Sequence, residues 1–367
     1  MTKSTLFDTL SLGDLTLPNR VVMAPLTRNR ALHDGDVPHA LNAEYYAQRA
    51  SAGLIISEAT QISPEGKGYA FTPGIYSDEQ VKGWQLVTDA VHAKDGRIFA
   101  QLWHVGRISH TSLQLDDQAP VAPSAIAAEA QVFDGEGFVS TSKPRALTTS
   151  DIAGIVDDYR KAAINAKNAG FDGIELHAAN GYLLDQFLRD GSNKRGDEYG
   201  GTPANRARLV IEVLEALTEV WDAGRIGIRL SPFSQFNGID DSDPMATFSH
   251  VVKKINELNI GYLHLIEGET GGERDLPEGK SIEALKSLFD GVYMANNGYD
   301  QELATDAVEA KSVDLVAFGR PFIANPDLVE RLAQGAELNT VNEATLYGGG
   351  GEGYTDYPIL NTRSAAA

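Results

Sequence analysis

Eight short apolar runs, spread along the whole chain and separated by stretches with helical spacing, constrain the fold more than any other feature. They are Val21 to Ala24, Leu54 to Ser57, Ile98 to Leu102, Gly173 to His177, Ile226 to Leu230, Tyr262 to Ile266, Val292 to Ala295 and Leu315 to Phe318. The runs are mostly continuous rather than alternating, the pattern of strands covered on both faces. Between them, Thr149 to Asn168 begins with a Thr-Thr-Ser-Asp N-cap region and places Ile152, Ile155, Val156, Tyr159 and Ala163 along one stripe. Asp78 to Lys94, Asn205 to Trp221, Pro244 to Leu258, Asp300 to Lys311 and Pro326 to Ala333 repeat the pattern. Parallel neighbours need a helical crossover. A doubly wound sheet also alternates this way, but eight repeats are better explained by closure. The spacing therefore predicts an α/β (β/α)8 TIM barrel, a single domain over 1–360, with 361–367 as a flexible tail. Leu6 to Leu17 reads as an N-terminal β-hairpin around Gly13-Asp14, placed to plug the barrel floor. Val105 to Leu147 is a long insertion after strand 3, of the kind that often forms a lid.

Composition removes several function classes. Asp and Glu outnumber Lys and Arg by 51 to 31, a formal charge of −20, which argues against nucleic acid and anionic membrane as partners. Cysteine is absent, so disulfides, thiolate metal sites, Fe–S clusters and a cysteine nucleophile are excluded. No window carries the ~20 apolar residues of a membrane helix, and the first twenty residues lack a signal-peptide core. A cytoplasmic protein is expected, as monomer or homodimer.

Chemistry in a barrel sits where the strands end. The exits here carry Pro25-Leu26-Thr27-Arg28, Glu58-Ala59-Thr60, Gln101-Leu102-Trp103-His104, His177 to Tyr182, Arg229, Asn297-Gly298 and Gly319-Arg320. Gly319-Arg320 and Asn297-Gly298, after strands eight and seven, match a barrel phosphate site. Arg229 would suit a developing anion on a planar ring, and Gln101 could pair with an imide edge. His177, Asn180 and Tyr182 form a donor cluster. No strand end carries a lysine for Schiff-base chemistry, and no metal-ligand spacing is present, so no metal is expected. Gly348, Gly350 and Gly353 satisfy GxGxxG without a preceding strand or following helix, and that match is treated as chance.

Val22 to Arg28, Leu54 to Thr60, Gln101 to His104, His177 to Tyr182, Asp197 to Gly201, Phe318 to Pro321 and Gly353 to Pro358 together resemble the Old Yellow Enzyme family, in order and over nearly the whole chain. The resemblance implies tightly but non-covalently bound FMN and reduction of activated alkenes (enones, enals, maleimides, nitroalkenes) with NADPH or NADH. By matching positions it implies that Pro25, Leu26, Thr27, Ala59, Gln101 and Arg229 hold the flavin ring, and Asn297, Gly298, Gly319 and Arg320 its phosphate. His177 and Asn180 would bind the substrate oxygen, Tyr182 would donate the proton, and Trp103, Tyr69 and Tyr354 would line the cavity. The chain departs from the pattern at Asn180, where many bacterial relatives carry histidine. Asp185 stands where histidine is frequent, and Arg189-Asp190 replace a common Ser-Pro.

Taken alone, His177 is more often an interior structural residue, Arg229 as easily a salt-bridged one, and Trp103 and Tyr69 simple packing. Two competing readings are another flavin barrel reductase of the dienoyl-CoA type and a flavin- or ligand-binding barrel without turnover. The absent cysteines weigh against the first, and a proton donor beside His177 against the second.

Overall fold

The computed structural model describes residues 5–360; the tail expected at 361–367 lies outside them. All eight runs form strands: β1 (Val21–Met23), β2 (Leu54–Ile56), β3 (Ile98–Trp103), β4 (Gly173–Ala178), β5 (Ile226–Leu230), β6 (Tyr262–Ile266), β7 (Val292–Asn296) and β8 (Leu315–Phe318). Each pairs in parallel with the next, and β8 pairs with β1, so the ring closes. Closure leaves no free edge.

The hairpin strands Leu10–Leu12 and Leu15–Leu17 are antiparallel, turning at Gly13 with φ +58°. Leu12, Leu15 and Leu17 pack in one cluster with Val22, Leu54, Phe99, Tyr262, Met294 and Leu315 from the barrel strands, and so plug the barrel. Registered neighbours in parallel strands face the same side, which sets two rings of residues in the interior. One holds Glu175, Gly227 and Tyr262, and the ring nearer the strand ends holds His177, Arg229 and His264. Gly227 is needed there, since a β-carbon would lie 2.0 Å from the Tyr262 ring.

The predicted helices appear as α2 (Asp78–His92), α3 (Thr149–Asn168), α5 (Pro203–Thr218), α6 (Pro244–Glu257), α8 (Gln301–Glu309) and α10 (Leu328–Gln334). Ser77, Thr148 and Thr202 cap the first three through side-chain oxygens. Four helices carry no sequence signal: α1 (Ala40–Gln48), α4 (Leu183–Leu188), α7 (Ile282–Lys286) and α9 (Arg320–Ala324). α4 shows why: all six of its residues are buried, so it has no amphipathic stripe. The insertion at 105–147 contains a hairpin, Gln131–Phe133 against Phe138–Ser140, and a parallel pairing of Val121–Ala122 with Arg145–Ala146.

Candidate active site

The exit of β4 delivers the donor cluster. Asn180 and Gly181 are both left-handed, with φ +59° and +72°. Asn is among the few residues that take this conformation readily. The reversal lets Tyr182 become the N-terminal flank of α4. His177, at 3% exposure, accepts the Ala179 N–H on Nδ1 at 3.3 Å. Burial first, then Arg229 and His264, hold its pKa well below the ordinary 6.5. A neutral ring with Nδ1 as acceptor carries its proton on Nε2, which makes that atom a donor.

Tyr182 stands edge-on to His177 at 5.1 Å between ring centroids and edge-on to Trp103 at 4.8 Å. Its hydroxyl lies 3.1 Å from that of Tyr69. Burial pushes its pKa up to about 12, with the hydrogen bonds of Tyr69 and Asn237 acting the other way. Asn180, at 8% exposure, uses its backbone N–H on Ser231 and its Oδ1 on Thr270. Its Nδ2 makes no hydrogen bond among the described residues and is not sealed from solvent.

Below these groups Glu175 accepts from Gln101 Nε2 at 2.7 Å, Tyr262 Oη at 3.0 Å and His264 Nδ1 at 2.8 Å. Burial alone would raise this carboxyl, but His264, Arg229 and Gln101 hold it below the usual range. Arg229 is therefore not consumed by an ion pair: its Nη2 donates to Asn296 Oδ1 at 2.7 Å, and its buried Nε has no partner among the described residues. A buried guanidinium with unspent donors calls for a carbonyl-rich or anionic group. The pyrimidine edge of a flavin has that character, and Gln101, fixed by Glu175, lies in the same mouth. The residues present fit a flavin.

At the opposite end of the expected cofactor site, Asn297 has φ +104° and Gly298 φ +66°. The Asn297 side chain donates to the carbonyls of Glu267, Glu269 and Gly272. Its amide braces the loop after β6, so a phosphate here would meet backbone rather than this side chain. Gly319 precedes α9, and Arg320 is exposed.

A cavity of about 870 Å³ meets the cluster at Tyr182 and is lined among others by Thr27, Tyr69, Asn237 and Tyr347. Phe133 and Phe138 of the insertion hairpin complete one wall. Tyr354, expected in this lining, is elsewhere: fully buried, it stacks on Tyr45 at 4.0 Å and accepts from Asn42. The Gly-rich tail bends so that Tyr347, eleven residues after Ala336 and 65% exposed, takes the place on the cavity wall. Trp103 is at 1% exposure and supports Tyr69 and Tyr182 from behind rather than lining the space. Sequence reasoning also missed Asn237, in a short 3-10 turn, and Thr270, in a loop, neither of them part of a motif. The departures at Asp185 and Arg189 explain each other: they form a buried ion pair at 2.7 Å. Asp185 also accepts the Gly181 N–H, and Arg189 donates to the carbonyls of Ser231 and Pro232.

Residues 5–339 match the NADH:flavin oxidoreductase / NADH oxidase family. The chain is 44% identical to 12-oxophytodienoate reductase 1 of Oryza sativa subsp. japonica over 355 residues, 95% of this chain and 91% of that one. It is similar to morphinone reductase solved in complex with tetrahydroNAD, at 50% identity, TM-score 0.93 and 98% coverage of both chains. The Old Yellow Enzyme homologue from Zymomonas mobilis gives 44% identity and TM-score 0.93, covering 97% of this chain and 100% of that one. With a closed barrel, a flavin-compatible mouth and these relatives, the chain belongs to the Old Yellow Enzyme / NADH:flavin oxidoreductase family and is an ene reductase of that type, an NAD(P)H:flavin oxidoreductase acting on C=C bonds.

Proposed function

We propose that the flavin is FMN, and that the substrates are enones, enals, maleimides and nitroalkenes whose oxygen is gripped by His177 and Asn180. Pro25, Leu26, Thr27, Ala59, Gln101 and Arg229 would hold the ring of FMN, and Asn297, Gly298, Gly319 and Arg320 its phosphate. When bound, FMN supplies a hydride that originates from NADPH or NADH. Two neutral donors, His177 Nε2–H and Asn180 Nδ2–H, stabilise the negative charge that builds on the substrate oxygen as the β-carbon is reduced. Such donors are worth about 10²–10³ in rate each. Tyr182, protonated throughout the neutral range, delivers its proton to the α-carbon. Tyr69 holds the phenol in place from the other side. Trp103 supports both rings from behind, Tyr347 walls the cavity, and Tyr354 has no part in binding.

The observation that carries this reading is the unpartnered Asn180 Nδ2 on the same strand exit as a histidine kept neutral by burial and by Arg229. A barrel that only retained a ligand would need neither this donor pair nor an adjacent phenol. The purified protein should be yellow, be bleached by NADPH without oxygen, and regain colour on addition of cyclohexenone. A bleached protein that cyclohexenone leaves colourless would overturn the substrate class.

A further inference from the structure

Asn180 is fastened at three of its four polar groups. Its backbone N–H donates to Ser231 Oγ at 2.8 Å, its carbonyl accepts from Asn237 Nδ2 at 2.9 Å, and its Oδ1 accepts from Thr270 Oγ1 at 2.8 Å. The amide is the one part that could turn. Rotated by half a turn about Cβ–Cγ, it would offer the substrate an acceptor instead of a donor, and the oxygen clamp would become repulsive. What stands behind the amide decides which end is left free.

Behind it is a chain of hydroxyls. Ser234, fully buried, accepts the N–H of Thr270 and the N–H of Phe236, both at 3.2 Å. Its single proton then points outward, with Thr270 Oγ1 at 2.9 Å and Glu269 Oε2 at 3.2 Å within reach. Glu269 Oε2 already accepts the Gln235 N–H at 3.0 Å. With both of its lone pairs taken by N–H groups, Ser234 cannot accept from Thr270, so the Thr270 proton is left for Asn180 Oδ1 whichever acceptor Ser234 serves. Each hydroxyl has one proton to give, and that of Thr270 goes to Asn180 rather than to Ser234.

We infer that Thr270 is a positioning residue for the reduction: its hydroxyl pins Asn180 Oδ1 and thereby turns Nδ2 toward the substrate oxygen. Thr270 lies on the loop after β6, in no motif, and the inference rests on the role proposed above for Asn180. It also couples that loop, braced on both sides of Thr270 by Asn297, to the oxygen clamp.

The test is a double-mutant cycle on the flavin-loaded enzyme. T270V should lower kcat/KM for cyclohexenone about tenfold, with flavin content and the rate of dithionite bleaching unchanged. T270S keeps the hydroxyl and should stay within about twofold of wild type. In an N180A background T270V should have no further effect, because the amide it orients is gone. A merely structural threonine would instead add its cost in both backgrounds. The inference is overturned if T270V matches wild type, if T270S is as slow as T270V, or if T270V slows N180A by the same factor. T270A repeats the test should T270V lose its flavin. A wild-type protein without turnover would sink the functional reading itself, a result separate from all of these.

Discussion

Replacing Tyr182 by Phe removes one oxygen and leaves the ring that packs against His177 and Trp103. Loss of a positioned general acid costs about 10²–10⁴ in rate. The lower end applies here, because the Tyr69 hydroxyl sits 3.1 Å from the deleted oxygen and leaves a second proton source in almost the same place. A fall of about 10² is expected in the oxidation of reduced enzyme by cyclohexenone. Flavin reduction by NADPH needs no proton from this residue and should be nearly unchanged. The double variant Y69F/Y182F should lose about a further tenfold. Burial raises the phenol to about 12, so it stays protonated through the neutral range and its loss belongs only to strongly alkaline solution. The oxidative rate of wild type should therefore be flat from about pH 6 to pH 10 and fall above that. Anaerobic stopped-flow absorbance separates the two half-reactions. Equal slowing of both in Y182F, or an oxidative rate that climbs with pH through neutrality, would refute the assignment.

Four further outcomes follow from other groups. R229M should weaken FMN binding by about 10² while leaving the flavin-free protein as stable or more so, since a buried cation with unspent donors is replaced by an apolar chain; fluorescence titration and melting of the flavin-free protein read the two effects. Glu58, fully buried, is raised from 4.5 to about 7, chiefly by burial. The folded protein thus holds a proton that the unfolded chain has lost between those values, so stability falls as pH rises through this window, by on the order of 3 kcal/mol at about 1.4 kcal/mol per unit. E58Q should flatten that slope in urea midpoints taken from pH 5 to pH 8; parallel curves for the two proteins would count against it. Y354A should lower the melting temperature by several degrees, since truncating a buried aromatic costs about 3–5 kcal/mol. Y347A should change KM for bulky enones with little effect on melting.

The barrel and most of its chemistry were legible in the linear chain because they are written locally. Each strand is a continuous apolar run, each exit residue lies in its strand or just after it, and His177, Asn180 and Tyr182 arrive on one strand exit. Hence strand number, hairpin plug and donor cluster all follow from short-range pattern. Helices α1 and α4 did not, because periodicity signals one wet face, and α4 has none.

What the tertiary structure alone decided is where long-range hydrogen bonds go. Asn297 reads as a phosphate ligand, yet its amide braces three carbonyls of another loop. Tyr354 and Tyr347 stand seven residues apart in one Gly-rich stretch, and which of them is buried depends on Arg28 and Arg30 binding carbonyls at 345, 346, 350 and 353. Asp185 with Arg189, and Thr270 with Asn180, are partners only in space. Apolar periodicity records which residues leave water; it holds no record of which donor meets which acceptor across a closed ring.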